Sequence, residues 1–335
     1  ILSLGGSIAL ILIVVAVVFA LRFTEKVAVS EPTHLFIPSD ASFEALTDSL
    51  LVHGCIESPT AFVSVARSRK LPDCVKGGHY VVQPGTSLFR LVNKLRSGNQ
   101  DALRITIGKH RTPEQLCAFL GQKLELEADS LLSLLSDSAT AAAYGLSPQT
   151  MLCLFVPNTY DIYWNTSPAR LLERMKREYD RFWTPVRQGQ CEALGLSQVE
   201  VMTLASIVEE ETNMADEKPC IASVYLNRLR RGMLLQADPT VKYAVGDFSL
   251  RRILHKHLVV DSPYNTYRNP GLPPGPICIP SVRSIDAVLE NQKTDYLYFC
   301  AREDFSGYHN FAASLPEHTR NAQRFHQALN RRGVK

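Results

Sequence analysis

Three consecutive segments repeat one order of elements, and that repetition narrows what the chain can fold into. HLFIPSDASFEALTDSLLVHG (34–54), HYVVQPGTSLFRLVNKLRSG (79–98) and RITIGKHRTPEQLCAFLGQKL (104–124) each read as a short strand, a turn and an amphipathic helix. In the second, Pro84-Gly85 makes the turn and Thr86 or Ser87 the helix cap. In the third, Thr112 caps, Pro113 takes the first helical position and Gln115 stands three residues on. Units of this size suggest small α+β binding modules, or equally a platform that holds the next domain in place.

Upstream, residues 1–21 carry no charge and no proline. About twenty apolar residues span a bilayer core as a helix, whereas a cleavable signal peptide has a shorter apolar region and a small-x-small site. Phe19-Ala20-Leu21-Arg22-Phe23 is a poor cleavage site, so an uncleaved single-pass anchor is expected at 1–22, with a polar linker at 23–34. Charge bias leaves the orientation open, because no residues precede the run in this sequence. A single anchor ahead of a globular chain suggests that the bulk lies outside the cytoplasm.

The 335 residues, 45% hydrophobic, can bury a sizeable core in two or three domains. A net charge of +3 and the lack of a Lys/Arg run argue against nucleic acid as a partner. The eight cysteines show no CxxC pair and no zinc-ligand spacing; only Cys55 and Cys74 flank loops in one small domain, which leaves a bridge there open. Residues 125–190 read as helical, interrupted by FVPNTYDIYW (155–164). That aromatic loop is either plain core or a wall on which sugar rings stack.

The segment LSQVEVMTLASIVEEETNMADE opens with Ser197 and Glu200 in capping-box register. At about 100° per residue, Leu204, Ile207, Val208 and Glu211 share one face, while Glu209 and Glu210 fall roughly 140° and 120° to either side. Glu211 is thus the acid at the edge of the apolar stripe, where a carboxyl group has a raised pKa, as a general acid needs. Glu209 and Glu210 are expected at the surface. Beyond it, Ile221, Val224, Tyr225 and Leu229 make an apolar helix face closed by Gly232, and Asp238 reads as the cap of another short helix. GLPPGPI (271–277) has two glycines and three prolines, a stiff extended loop suited to walling a cleft. DYLYFCA reads as a strand.

SIVEEET, VYLNRLRRGMLLQADPTVKYAVG, SPYNTY, GLPPGPI and GYHNFAASLPEH, in this order and spacing, resemble the YceG-like (MltG) family of endolytic murein transglycosylases, from about residue 35 to the end. YVVQPGTSLFRLVNKLRSGNQ resembles that family's LysM-like domain. The resemblance implies an α+β chain: a transmembrane helix, a small LysM-like domain at 35–105, a helical connecting region at 106–190 and a mixed α/β catalytic domain at 191–330. The family's catalytic acid stands directly before Thr in E-x-E-T, which maps onto Glu211. Two departures are mild: Glu210 stands where Lys is common, and Pro157-Asn158-Thr159-Tyr160 replaces PDTY, which puts an acidic role at position 158 in doubt.

The implied reaction cleaves the β-1,4 bond between N-acetylmuramic acid and N-acetylglucosamine within a strand, leaving 1,6-anhydro ends and terminating strand elongation. Glu211 would protonate the leaving oxygen and then accept the proton of the muramic acid C6 hydroxyl, so no second carboxylate is required. Gln236, Tyr264, Asn265 and Tyr267, with Asp238, are the candidates for contacting the sugars, and His309 acts at most through another residue. No metal or cofactor is implied. The expected partners are peptidoglycan glycan strands and the cell-wall synthases (penicillin-binding proteins), at the cytoplasmic membrane with the catalytic domain on its outer side. Two other readings stay open: a muramidase using water with Asp238 or Asp261 as a second acid, and a non-catalytic murein-binding scaffold.

Overall fold

The computed structural model describes residues 24–250 and 252–332, so the expected anchor at 1–22 lies outside the described residues. Among the described residues no single helix is long and apolar enough to cross a membrane. The chain is α+β, as expected, and packs as two compact units. The first gathers residues 24–105, 121–126 and 160–167; the second gathers 106–120, 127–159 and 168–332.

The first unit holds β1 (Thr33–Ile37), α1 (Phe43–Val52), α2 (Pro59–Ser68), β2 (Gly78–Val82) and α3 (Leu88–Ser97). β1 and β2 pair antiparallel, with Thr33 opposite Val82 and Ile37 opposite Gly78. The period-two pattern sends Leu35, Ile37, Tyr80 and Val82 into a core shared with Leu46, Leu50, Phe62, Leu91 and Leu95. Ser42 and Ser87 cap α1 and α3 by accepting from the Ala45 and Arg90 amides at 3.2 and 3.3 Å. Helix α2 was not expected, although Ser58-Pro59 is a start signal with Pro at the first helical position. The linker reading of 23–34 needs correction. Val27 is buried, its amide donates to Thr86 O at 2.9 Å, and the Ala28 amide donates to Cys55 O at 3.0 Å.

All eight cysteines are free thiols, and Cys55 and Cys74 are unbridged. Cys55 is buried as a small hydrophobe, and burial pushes its thiol up to about 11.

β3 (Leu103–Ile107) and β4 (Asn158–Ile162) form a two-stranded sheet, and α4 (Pro113–Lys123) lies between them in sequence. The aromatic stretch 155–164 is therefore half strand, at Asn158–Ile162, rather than all loop. Phe155 and Tyr160 are core residues, which leaves Tyr163 as its exposed ring.

The second unit continues with α5 (Ala128–Ser136), α6 (Ser138–Ala143), a 3-10 turn (Pro148–Leu154), α7 (Pro168–Phe182), α8 (Pro185–Leu194), α9 (Gln198–Glu211), α10 (Lys218–Arg230), α11 (Asp238–Val245), α12 (His255–Leu258) and α13 (Val282–Glu290). It ends with the antiparallel pair β5 (Tyr298–Ala301) and β6 (His309–Ala312), then α14 (Leu315–Arg331). The stretch 106–190, expected as a connecting region, does not stand apart: α8 packs on α9 and α13, and the 3-10 turn packs on α9.

Helix α9 organises this unit. It touches α8, α10, α11, α13 and the 3-10 turn, and all eight residues from Val201 to Val208 are buried. A helix buried all round has no solvent face, which overturns the one-sided reading of its sequence. The loop 271–277 contributes to this burial instead of walling a cleft. A Cβ on Gly275 would sit 2.1 Å from Gln149 O, and the Ile277 amide donates to Ser206 Oγ at 2.9 Å.

Candidate active site

Because α9 is enclosed, each of its last three acids needs a partner, and the partners differ. Glu209 Oε2 receives Lys218 Nζ at 2.7 Å, Ser281 Oγ at 2.6 Å and Ser284 Oγ at 2.5 Å. Glu210 is paired with Lys109 at 2.8 Å and with Arg111 through two bonds of 3.0 and 2.9 Å. These cations and hydroxyls outweigh the cost of burial and hold both carboxyls below the usual range. Neither acid is the surface residue the helical wheel expected.

Glu211 receives a phenol instead of a cation. Tyr225 Oη, from α10, donates to Glu211 Oε1. Among the described residues this is the hydrogen bond that the Glu211 carboxyl makes, and it goes to Oε1. Burial raises the Glu211 carboxyl to about 7, helped by the charges of Asp238 and Glu210 and opposed by Tyr225 and Arg228. One acid of three is thus poised to exchange a proton near neutral pH.

Two adjoining cavities meet at Glu211 and Asp238. One, of about 240 Å³, is lined by Glu211, Tyr225, Arg228, Gln236, Asp238, Tyr267, Phe299 and His318 among others. The other, of about 310 Å³, is lined by Glu210, Glu211, Asp238, Pro239, Lys242, Leu250, Arg252 and Ile253. A larger cavity of about 560 Å³ opens at the far end of α9, beside Tyr144, Tyr179 and Gln198.

The structure brings Gln236, Asp238 and Tyr267 to the Glu211 cleft. Gln236 has a left-handed backbone (φ 52°), fixed by its amide donating to Thr266 O at 3.1 Å. A non-glycine residue held there is strain of the kind that accumulates at functional sites. Asp238 is not a cap. It is the first residue of α11, preceded by Ala237, and its Oδ1 accepts from Tyr267 Oη at 2.6 Å.

Asn265 and Tyr264 belong elsewhere. Asn265 is fully buried, donates to Leu258 O at 2.9 Å and Val260 O at 2.8 Å, and accepts from the Tyr267 amide at 3.1 Å. All its capacity goes into shaping the loop that presents Tyr267. Tyr264 packs on Tyr243, ring centroids 4.7 Å apart, and does not line either cavity. His309 is also outside the cleft, with Nδ1 2.9 Å from Glu217 Oε2. Asp261 is fully exposed beside Arg268.

Sequence reasoning read Tyr225 as part of an apolar helix face and passed over Arg228, Phe299 and His318. Arg228 is 8% exposed, and its Nε and Nη1 donate to Leu297 O at 2.7 Å, Leu234 O at 3.2 Å and Leu235 O at 2.8 Å. An arginine inside a helix whose apolar face was otherwise clear was the available signal. Among the described residues no cluster of three His, Cys, Asp or Glu side chains could hold a metal.

A carboxyl raised to about 7 that lines an open polar cleft has the properties a general acid–base catalyst needs. The chain belongs to the YceG-like family, whose sequence model matches residues 35–324. An endolytic murein transglycosylase of Bacillus subtilis is 30% identical over 310 residues, covering 88% of this chain and 85% of that one. One from Streptococcus pneumoniae is 28% identical over 325 residues, covering 88% of this chain and 58% of that one. The crystal structure of a YceG-like protein from Listeria monocytogenes superposes with a TM-score of 0.58 at 28% identity, over 87% of this chain and 99% of that one.

Proposed function

We propose that the chain is an endolytic murein transglycosylase in which Glu211 acts first as acid and then as base. The observation that carries this reading is the partnering of three adjacent acids: two are fixed as carboxylates by cations, and Glu211 alone faces a phenol and titrates near neutrality. The names of the B. subtilis and S. pneumoniae relatives support the same reaction.

Protonated Glu211 donates from Oε2 to the glycosidic oxygen. The C1–O bond breaks, its electron pair goes to the departing N-acetylglucosamine O4, and positive charge develops at C1 of N-acetylmuramic acid. The C6 hydroxyl of that muramic acid then attacks C1, and its proton returns to the Glu211 carboxylate. Tyr225 stabilises the carboxylate between the two transfers by donating to Oε1. Gln236 and Tyr267 stand where they can bond the sugar hydroxyl and acetamido groups, and Phe299 offers a ring face.

Asp238 lines the same cleft, which is the observation favouring hydrolysis by water. Mass spectrometry of cleaved strands decides between them. Anhydro-muramic acid ends, absent with Glu211→Gln, are expected; reducing ends carrying solvent oxygen make the protein a muramidase, and uncleaved strands leave a binding scaffold.

The remaining parts of the reading rest on the sequence. The first unit serves as a LysM-like murein-binding module, supported by the resemblance of residues 80–100, whose strand β2 and helix α3 form as that segment requires. The uncharged run at 1–21 anchors the protein in the cytoplasmic membrane with the cleft on the outer side. There, cutting a nascent strand beside a cell-wall synthase would end its elongation.

A further inference from the structure

The two lobes of the Glu211 cleft differ in free charge, and so do the two sugars that meet at a murein glycosidic bond. N-acetylmuramic acid carries, through its lactyl group, a stem peptide with free carboxylates. N-acetylglucosamine carries no ionisable group. Glu211 and Asp238 line both lobes, so a bond cut at Glu211 can have one of its sugars in each.

In the lobe lined by Phe299 and Tyr267, the cation Arg228 is fixed in the wall. Three backbone carbonyls hold its guanidinium, and the Tyr298 ring lies 5.1 Å from it. Its charge acts on Glu211. The opposite lobe holds Lys242 and Arg252, and among the described residues neither makes an ion pair or a side-chain hydrogen bond. Glu210, which also lines that lobe, is already neutralised by Lys109 and Arg111. Two cations outside any ion pair among the described residues therefore stand beside Glu211, Lys242 acting only at a distance on Asp247.

We propose that the Lys242–Arg252 lobe seats the muramic acid with the carboxylates of its stem peptide, and that the Phe299–Tyr267 lobe seats N-acetylglucosamine. This rests on the murein-cleaving reading above. It fixes the direction in which a strand crosses the cleft and makes peptide-bearing strands the preferred substrate. Both cations are partly or fully open to solvent, so the attraction is screened by salt over about 8–10 Å.

The test compares the full chain with Lys242→Ala/Arg252→Ala and Lys242→Glu/Arg252→Glu. Substrates are uncrosslinked strands bearing stem peptides and the same strands stripped by an amidase. For the wild type, kcat/KM on peptide-bearing strands should exceed that on stripped strands by about three- to tenfold, the range of two exposed ion pairs. That ratio should fall toward one in the alanine variant and in high salt, and below one in the glutamate variant. Each ratio is taken on one preparation, so a partly unfolded variant does not distort it. Equal wild-type rates on both substrates, or a preference that survives in the alanine variant, overturns the proposal. If the wild type cleaves neither substrate, the murein-cleaving reading itself fails, and the lobe assignment with it.

Discussion

Glu211 is stabilised less than its neighbours, and that deficit is what makes it useful. Its carboxyl rises from an ordinary value near 4.5 to about 7 because burial disfavours the charge. A raised pKa means that the folded state binds a proton the unfolded state has already lost. The associated stability is complete below about 4.5 and disappears as pH rises through 7. Glu211→Gln should therefore abolish cleavage and also stabilise the protein by up to about 3 kcal/mol at pH 8, with little gain at pH 4. Chemical denaturation at the two pH values checks this; an equal gain at both would mean that the charge is not the source. Tyr225→Phe removes the donor that favours the carboxylate. The alkaline limb of the kcat/KM profile, where the acid form is lost, should move up by about one pH unit. A limb that stays in place would show that the phenol does not act on the proton.

At the scale of the element, α9 shows how much of the site was legible and where legibility stopped. Ser197, Glu200 and the position of Glu211 could be read from local spacing, and the capping box forms with Ser197 Oγ 3.2 Å from the Glu200 amide. Glu209 and Glu210 were misread because helical periodicity assumes one solvent face, whereas five elements surround α9. Their partners lie outside the helix, at Lys218 on the next one and at Ser281, Ser284, Lys109 and Arg111 far along the chain, where no local rule reaches. Asn265 failed in the opposite way: an amide near Tyr267 looked like a sugar ligand, and it is an internal brace. The Glu209–Lys218 pair fastens α9 to α10, and the two serines fasten it to the start of α13. Lys218→Met strands a buried carboxylate, so a loss of about 3–5 kcal/mol is expected, with partial recovery in Glu209→Gln/Lys218→Met. Glu209 is held below its ordinary range, so the pair stabilises above the unfolded pKa and fades as pH falls through the folded one. The penalty of Lys218→Met should shrink in acid, which melting curves at several pH values would show.

For the whole molecule, the division into units does not follow the order of the chain. The expected domain ending at residue 105 omits two segments, 121–126 and 160–167, that pack with it. Glu125 accepts from the Ser39 amide and hydroxyl at 2.7 and 2.5 Å. Asn165 bonds Gln100 at 3.0 Å and Gly77 O at 3.1 Å, and Trp164 packs its edge on Phe36. Linear motif boundaries could not reveal this, because one returning segment is only the end of the third strand-turn-helix unit and the other lies in the aromatic stretch, outside all three. A fragment of residues 24–105 therefore keeps the core of β1, β2 and α1–α3 but leaves Ser39, Gly77 and Gln100 without those partners. A fragment of residues 24–167 restores them. The carboxylate bonds alone are worth about 1.5–3 kcal/mol, and in a domain of this size each kcal/mol moves the midpoint by roughly 4–8 °C. The longer fragment should melt about 10 °C above the shorter one, and Glu125→Ala in the longer fragment should remove most of that difference. Equal midpoints for the two fragments would mean that residues 24–105 are complete without the returning segments.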